Sequence, residues 1–339
     1  MTTALEATDK DFEHMMQMLS GFFVTQIAGA VVSYSIADHL AKGPATAEQI
    51  SAIEGIDSIA AFRLLRACGS LGLVTFDGLM FSATPLLGTL RTDVPGSLHG
   101  LAIAWSAPGH WLPWGRFLDA VRTGESQTVP ALGAEIWDYY GQKPGEGAAF
   151  THAMDGFTSG IAREVARTVD TSTAKLAVDI GGASGTLVHS LLMANSQLHG
   201  IILDLPHAVP SATAAASALG LAERSSALGG DFFIYVPEAD IYLLKHILHD
   251  WNDGAAVRIL KRCRQAMRPG GRVIVIEMLL GEIGESGVAP LMDLNMMVML
   301  RGRERTLAEY CGLLKNARLQ LSTSTPIRSP MAVIEAVAA

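Results

Sequence analysis

The segment Leu243-Leu244-Lys245-His246-Ile247-Leu248-His249-Asp250-Trp251 sets a histidine and an adjacent carboxylate at the carboxyl end of an apolar run. Upstream lies a glycine-rich turn, Asp179-Ile180-Gly181-Gly182-Ala183-Ser184-Gly185. Loops leaving the carboxyl ends of strands line the ligand crevice of an open α/β sheet, so a cofactor loop and a general base would share one cleft. That pairing suits a transferase.

The glycine spacing bears on the cofactor. A dinucleotide site needs Gly-x-Gly-x-x-Gly after its first strand, but here Gly181 and Gly182 are followed by Ala183, Ser184 and Gly185, which disfavours NAD. Asp179, two residues before the first glycine, can approach the cationic amino-acid portion of a ligand through an intervening group. Asp204, at the end of the next strand, is placed to accept from two ribose hydroxyls, as acids do in doubly wound nucleoside sites. Two such carboxylates favour a nucleoside bearing positive charge, and S-adenosylmethionine fits that description.

The elements that must position these residues begin at Ala174, where strands and helices start to alternate. Residues 175–179, 198–204, 240–245 and 272–277 read as strands; 186–193 and 255–267 read as helices, the second stopped by Pro269-Gly270-Gly271. Such alternation predicts a parallel, doubly wound, Rossmann-like sheet. Residues 319–325 and 331–337 are spaced like a closing hairpin.

The first part of the chain reads as helical, with residues 22–40 forming one helix that ends at Lys42-Gly43-Pro44. Residues 46–50, the turn Gly55-Ile56-Asp57 and residues 58–68 form a helix-turn-helix pattern. Two short strands, 71–76 and 79–82, flank the hairpin dipeptide Asp77-Gly78, which completes a winged-helix outline. Its charge is wrong for DNA: residues 45–93 carry five acids and three bases, a balance of -2. The second helix offers only Arg63 and Arg66 to read base edges. A dimerisation role is the better expectation, and the net charge of -8 also argues against nucleic-acid partners.

Residues 101–157 are rich in rings: Trp105, Trp111, Trp114, Trp137, Tyr139, Tyr140, Phe150 and Phe157, with His110 and His152 among them. Any one of these is explained by helix packing, but as a group they could wall a flat pocket for a planar ligand. Met292, Asn295, Met296 and Met299 recur at helical spacing on one face. Core packing explains most methionine stripes, yet methionine also adapts to flat ligands, and Asn295 is the polar exception expected to contact substrate.

A chain of 339 residues, 49% hydrophobic, can bury a large core and favours two domains or one with an extension. The expected divisions are 1–100 for dimerisation, 101–170 for a helical pocket region and 171–339 for cofactor binding and catalysis. Cys68, Cys263 and Cys311 are widely spaced, so neither a disulfide framework nor a metal site is indicated. The opening residues Glu6, Asp9, Asp11 and Glu13 do not resemble a secretory signal, and the richest apolar stretch, 291–300, is interrupted by Asp293 and Asn295. A cytoplasmic protein without a membrane span is expected.

Together these residues resemble the class I S-adenosylmethionine-dependent O-methyltransferases of the caffeic acid and hydroxyindole type, including bacterial relatives that modify polyketides and phenazines. The resemblance runs through the helical and winged N-terminal region, then Asp179 to Gly185, Leu203-Asp204-Leu205-Pro206, Gly229-Gly230-Asp231-Phe232, Leu244 to Trp251 and Arg303-Glu304-Arg305-Thr306. Two departures are Ala183, where many members carry glycine, and the short Met299-Leu300-Arg301-Gly302 connection. The resemblance implies that Gly181 and Gly182 face the cofactor's amino-acid part and that Asp204, with Leu205 beside it, holds the ribose. Asp231 and Phe232 would flank adenine, Lys245 and Thr158 would lie near the cofactor, Trp251 would stack nearby, and Met154 would lie near substrate. His249 would be the base, bracketed by Glu277 and Glu304. A homodimer is implied.

The chemistry is sensible on its own. A phenol has a pKa of about 10, so near pH 7 about one molecule in a thousand is ionised, a deficit of about 4 kcal/mol. A histidine with an ordinary pKa near 6.5 is a usable acceptor, and a carboxylate behind it would orient the ring and stabilise the imidazolium. Asp250, Glu277 and Glu304 compete for that role. The expectation is O-methylation of a hydroxylated, polycyclic aromatic metabolite, with Trp105, His110, Met154, Phe157, Asn295, Met296 and Met299 toward the substrate. The alternatives are N-methylation of a ring nitrogen and a winged-helix regulator that keeps a cofactor fold for sensing.

Overall fold

Thr46 and Asp57 each stand at the residue just before a helical run, where a short polar side chain can accept from an orphan backbone N–H. The computed structural model, which describes residues 7–328 and 330–339, shows both at work. Thr46 accepts from the Gln49 N–H and the Gln49 side chain accepts from the Thr46 N–H, opening the helix Ala47–Glu54. Gly55, at φ +67°, ends that helix, and Asp57 opens Ser58–Ser70 by accepting from the Ala60 N–H at 2.8 Å. Strands β1 (Val74–Phe76) and β2 (Phe81–Ala83) follow as an antiparallel wing.

Two expectations change here. The wing turn spans four residues, since Phe76 pairs with Phe81. The Asp77 carboxylate accepts from both Leu79 and Met80 N–H groups and so stabilises the longer loop. The single helix expected over 22–40 is two, Gly21–Ser33 and Ile36–Ala41, because Ser35 adopts φ +47°. The acid noted at Glu6 lies outside the described residues.

The chain divides into two compact units, Met1–Trp111 and Leu112–Ala339. That boundary falls inside the segment 101–170 set apart above. The first unit packs Ile36, Ile50, Leu65, Cys68, Phe81 and Leu87 at its centre. No single described helix is long and apolar enough to cross a membrane; the bent pair Asp9–Leu19 and Gly21–Ser33 passes only when taken together. Along that pair Phe12, Met15, Met16, Met18, Leu19, Phe22 and Phe23 are each more than half exposed.

In the second unit apolar residues on successive positions demand cover on both faces of a sheet. Strands β3 (Leu176–Ile180), β4 (His199–Asp204), β5 (Ser225–Gly229), β6 (Ala239–Lys245) and β7 (Met267–Met278) are parallel. Then β8 (Leu319–Pro326) and β9 (Met331–Ala338) close the edge as the antiparallel hairpin expected, giving the order β5-β4-β3-β6-β7-β9-β8. Alternation sorts the side chains: Ile241 and Leu243 of β6 face Leu187, Leu191 and Val165. Tyr242 and Leu244 face Ile259, Leu260 and Tyr310. The helices Pro144–Thr168 and Thr186–Ala194 therefore cover one face, and Asp253–Ala266 and Leu307–Asn316 the other. Strand order reverses at β3, with β4 on one side and β6 on the other, so a crevice opens between the carboxyl ends of β3 and β6.

Tyr242 anchors the start of β6: its fully buried hydroxyl donates to the Pro237 carbonyl and accepts from the Ala239 N–H, each at 2.9 Å. Tyr242→Phe leaves both unpaired, and the denaturation midpoint is expected to report a loss of about 1–3 kcal/mol.

Candidate active site

The turn after β3 is held open by backbone conformation. Gly181, Ala183 and Gly185 have φ of +64°, +49° and +82°, which glycine adopts freely and alanine only at a cost of about 1–2 kcal/mol. A Cβ on Gly182 would meet Asp179 Cγ at 2.6 Å, and one on Gly181 would meet Ile247 Cδ1 at 2.5 Å. Asp179 lies buried beneath the turn and accepts from the Val188 N–H at 3.3 Å. Burial pushes its carboxyl up to about 7. Asp204 grips the turn from the end of β4, accepting from the Ala183 N–H at 2.8 Å and the Leu205 N–H at 2.6 Å. Further along the crevice, exposed Asp231 accepts from the Phe233 N–H at 2.8 Å. Trp251 stands edge-on to the neighbouring rings, at 4.7 Å from Phe233 and 6.2 Å from Phe232.

Beyond Lys245, His246 takes φ +53° and the chain turns into a 3-10 segment, Leu248–Asp250. Glu277, at the end of β7, bends it there: its Oε1 accepts from the N–H groups of Ile247, Leu248 and His249 at 3.1, 2.9 and 3.3 Å. Of the three acids competing to orient His249, Glu304 is nearest, its Oε1 2.7 Å from Nδ1. Glu277 Oε2 is 3.7 Å from Nδ1, and Asp250 Oδ1 is 3.3 Å from Nε2. His246 stacks on the ring at 4.9 Å.

Burial pushes the imidazole's pKa down, but Glu277, Asp250 and Glu304 together push it up further, to about 10. The ordinary value assumed from sequence does not hold here. Burial first, then mutual repulsion, lifts the carboxyls of Asp250 and Glu277 to about 7. Lys245 is lowered to about 8 by burial, against the pull of Glu277, Asp179, Asp155 and Asp250. The spacing of these acids in sequence gave no sign of a clustered ligand set, yet candidate ligand atoms of His249, Glu277 and Glu304 lie within 4.8 Å of one another. The short Nδ1–Glu304 contact uses two of those atoms for a hydrogen bond.

Two residues that sequence reasoning did not single out hold this turn. Arg305 is fully buried; it donates to the carbonyls of Leu248 at 2.9 Å and Trp251 at 2.7 Å and pairs with Asp253 at 2.8 Å. Gly302 packs directly on the His249–Asp250 peptide, where a Cβ would overlap the His249 carbonyl oxygen. The Arg-Glu-Arg-Thr motif pointed to the first of these; a lone glycine after a helix gave no signal.

The expected substrate residues divide. Trp105 and His110 lie in the first unit and stack on each other at 5.8 Å. On the helix Pro144–Thr168, Met154 and Phe157 are half-buried, while the Thr158 hydroxyl donates to the Met154 carbonyl at 2.7 Å. Asn295, expected to contact substrate, accepts from the Trp114 indole N–H at 2.8 Å. Met296 and Met299, on the helix Ala289–Met299, are buried, and Met299 packs with Tyr139, Tyr140 and Val298.

A carboxylate gripping a glycine turn at the end of β4 and a histidine caged by acids beyond the end of β6 are parts consistent with a group transferase built on an α/β crevice. The O-methyltransferase domain model matches residues 114–320 and the O-methyltransferase dimerisation domain model matches residues 16–90. The chain is 32% identical to the phenazine O-methyltransferase PhzM of Lysobacter antibioticus over 95% of each protein. The mitomycin 7-O-methyltransferase MmcR superposes with a TM-score of 0.90 at 32% identity, covering 96% of this chain and 97% of that one. The neocarzinostatin-pathway O-methyltransferase NcsB1, in complex with S-adenosylmethionine and 2-hydroxy-5-methyl naphthoic acid, gives 0.81 at 31% identity over 93% and 96%. The chain belongs to the O-methyltransferase family, and S-adenosylmethionine is its methyl donor. The turn fits that donor: side chains on its glycines would collide with Ile247, Asp179 and Ile202, so a bare backbone is what lets the turn run this close to the strand ends, and Asp204 stands at the end of the adjoining strand.

Gly302→Ala displaces the peptide of the histidine while leaving the glycine turn alone. Methyl transfer is expected to fall by about 10²-fold, with affinity for S-adenosylhomocysteine nearly unchanged by calorimetry; equal loss of both would contradict this account.

Proposed function

We propose that this chain methylates a hydroxyl of a polycyclic aromatic secondary metabolite, with His249 as general base. The observation that carries the reading is the 2.7 Å contact between His249 Nδ1 and Glu304. A carboxylate accepts, so the closer contact holds a hydrogen on Nδ1, and Nε2, which has the longer 3.3 Å approach to Asp250, is the nitrogen left to take the acceptor's proton. An imidazolium near 10 also matches a phenol of pKa about 10, so proton transfer between them is close to thermoneutral. Relatives named for phenazine and naphthoate chemistry support an acceptor of that shape.

S-adenosylmethionine, when bound, supplies a methyl group already activated as a sulfonium. The protein's part is alignment, which contributes about 7–11 kcal/mol in favourable cases, and removal of one proton. In this reading Gly181, Gly182 and Asp179 form the floor beneath the amino-acid tail, and Asp204 and Leu205 flank the ribose. Asp231, Phe232 and Trp251 border adenine, with Lys245 and Thr158 beside the cofactor. Met154 and Phe157 face the acceptor; Asn295, Met296 and Met299 stiffen the wall behind it through Trp114 and the tyrosines. We assign the winged unit to a homodimer in the cytoplasm, supported by the dimerisation model and by the bare apolar face from Phe12 to Phe23.

His249→Ala is expected to reduce O-methylation of a phenol by about 10²–10⁴-fold, with little loss on an acidic phenol that is already ionised. A comparable loss on both acceptors would remove the base role, and a rate insensitive to the change would favour a ring-nitrogen acceptor. The wild-type rate should climb with pH from 7 toward about 10 as the imidazolium loses its proton. Glu304→Gln removes one of the anions that hold that proton, so the midpoint of the pH profile should move down.

A further inference from the structure

The helix Pro144–Thr168 carries an acid that this mechanism does not use. Asp155 Oδ1 accepts from the hydroxyls of Ser184 and, at 3.3 Å, Thr186; these hydroxyls lie 3.0 Å from each other. Ser184 and Thr186 flank Gly185 at the point where the turn becomes the helix Thr186–Ala194. A carboxylate from another element is thus fixed against the cofactor turn, while Asp204 grips the same turn at Ala183. Both hydroxyls are spent on Oδ1, and Oδ2 carries no hydrogen bond among the described residues. Burial pushes the carboxyl's pKa up, and the hydroxyls, His152 and Lys245 oppose it. A half-buried carboxylate whose hydrogen-bond donors are both neutral still gains from contact with a full positive charge.

The methyl donor has one cationic group besides its sulfonium, the α-ammonium of its amino-acid tail. Resting on the assignment of the tail to this turn, we infer that Asp155 is the acceptor for that ammonium, with Ser184 and Thr186 fixing its rotamer. A latch between helix and turn would need only an acceptor oxygen, whereas a counter-ion needs charge.

Asp155→Asn separates the two, because its amide oxygen can still accept from both hydroxyls. Full-length wild type and variant are titrated with S-adenosylhomocysteine, which has the ammonium, and with 5′-methylthioadenosine, which lacks the whole tail. The variant should bind S-adenosylhomocysteine about tenfold more weakly or worse, the range for a hydrogen bond to a charged group, and bind methylthioadenosine as wild type does. Equal weakening of both ligands, or of neither, overturns the inference. Wild type that binds neither ligand overturns the cofactor reading and this inference with it. Should Asp155→Asn lose its near-ultraviolet circular dichroism, the pair Ser184→Ala with Thr186→Val frees the charged side chain, and the same selective loss is required of it.

Discussion

Three consecutive backbone N–H groups converge on one oxygen of Glu277, and the placement of the cleft's reactive side chain descends from that convergence. The carboxylate is fully buried, so no water competes for it, and it bends the chain as β6 ends. The bend forces His246 into a left-handed conformation and turns the carbonyls of Leu248 and Trp251 toward Arg305. His249 is left with its ring against Glu304. An acid at the end of one strand therefore positions an imidazole beyond the end of its neighbour through the main chain.

The same gathering of acids sets the electrostatics. Acids crowded around one buried imidazole cannot all be ionised without cost, and the result is carboxyls of Asp250 and Glu277 raised to about 7 beside a ring that holds its proton strongly. The cluster shares its protons among several groups. Lys245 draws on the same acids and balances part of the remaining negative charge.

The sheet, the wing and the glycine turn were legible because each has a short-range cause: alternation of apolar runs, capping side chains at Thr46 and Asp57, and glycines where the backbone must reverse. His249 and the acids Glu277 and Glu304 were legible as types in a pattern. Which acid touches the ring was not, since Asp250 is adjacent in sequence while Glu304, fifty-five residues on, makes the 2.7 Å contact. Environment was hidden for the same reason: the imidazole's high pKa arises from groups on three separate segments. That Asn295 accepts from the Trp114 indole was not legible, because that partner lies far upstream. The break at Ser35 and the long wing loop at Asp77 depend on single backbone conformations that periodicity does not register.

Gly302 also bears on how such an enzyme can diversify. Because that residue lies flat on the peptide between His249 and Asp250, position 302 has no room for a side chain. Variation must then be accommodated elsewhere, in the surrounding helices, where a residue can be exchanged without shifting His249. The short connection thus divides the chain into positions frozen by geometry and positions open to drift, and it confines the raw material for new chemistries to the latter.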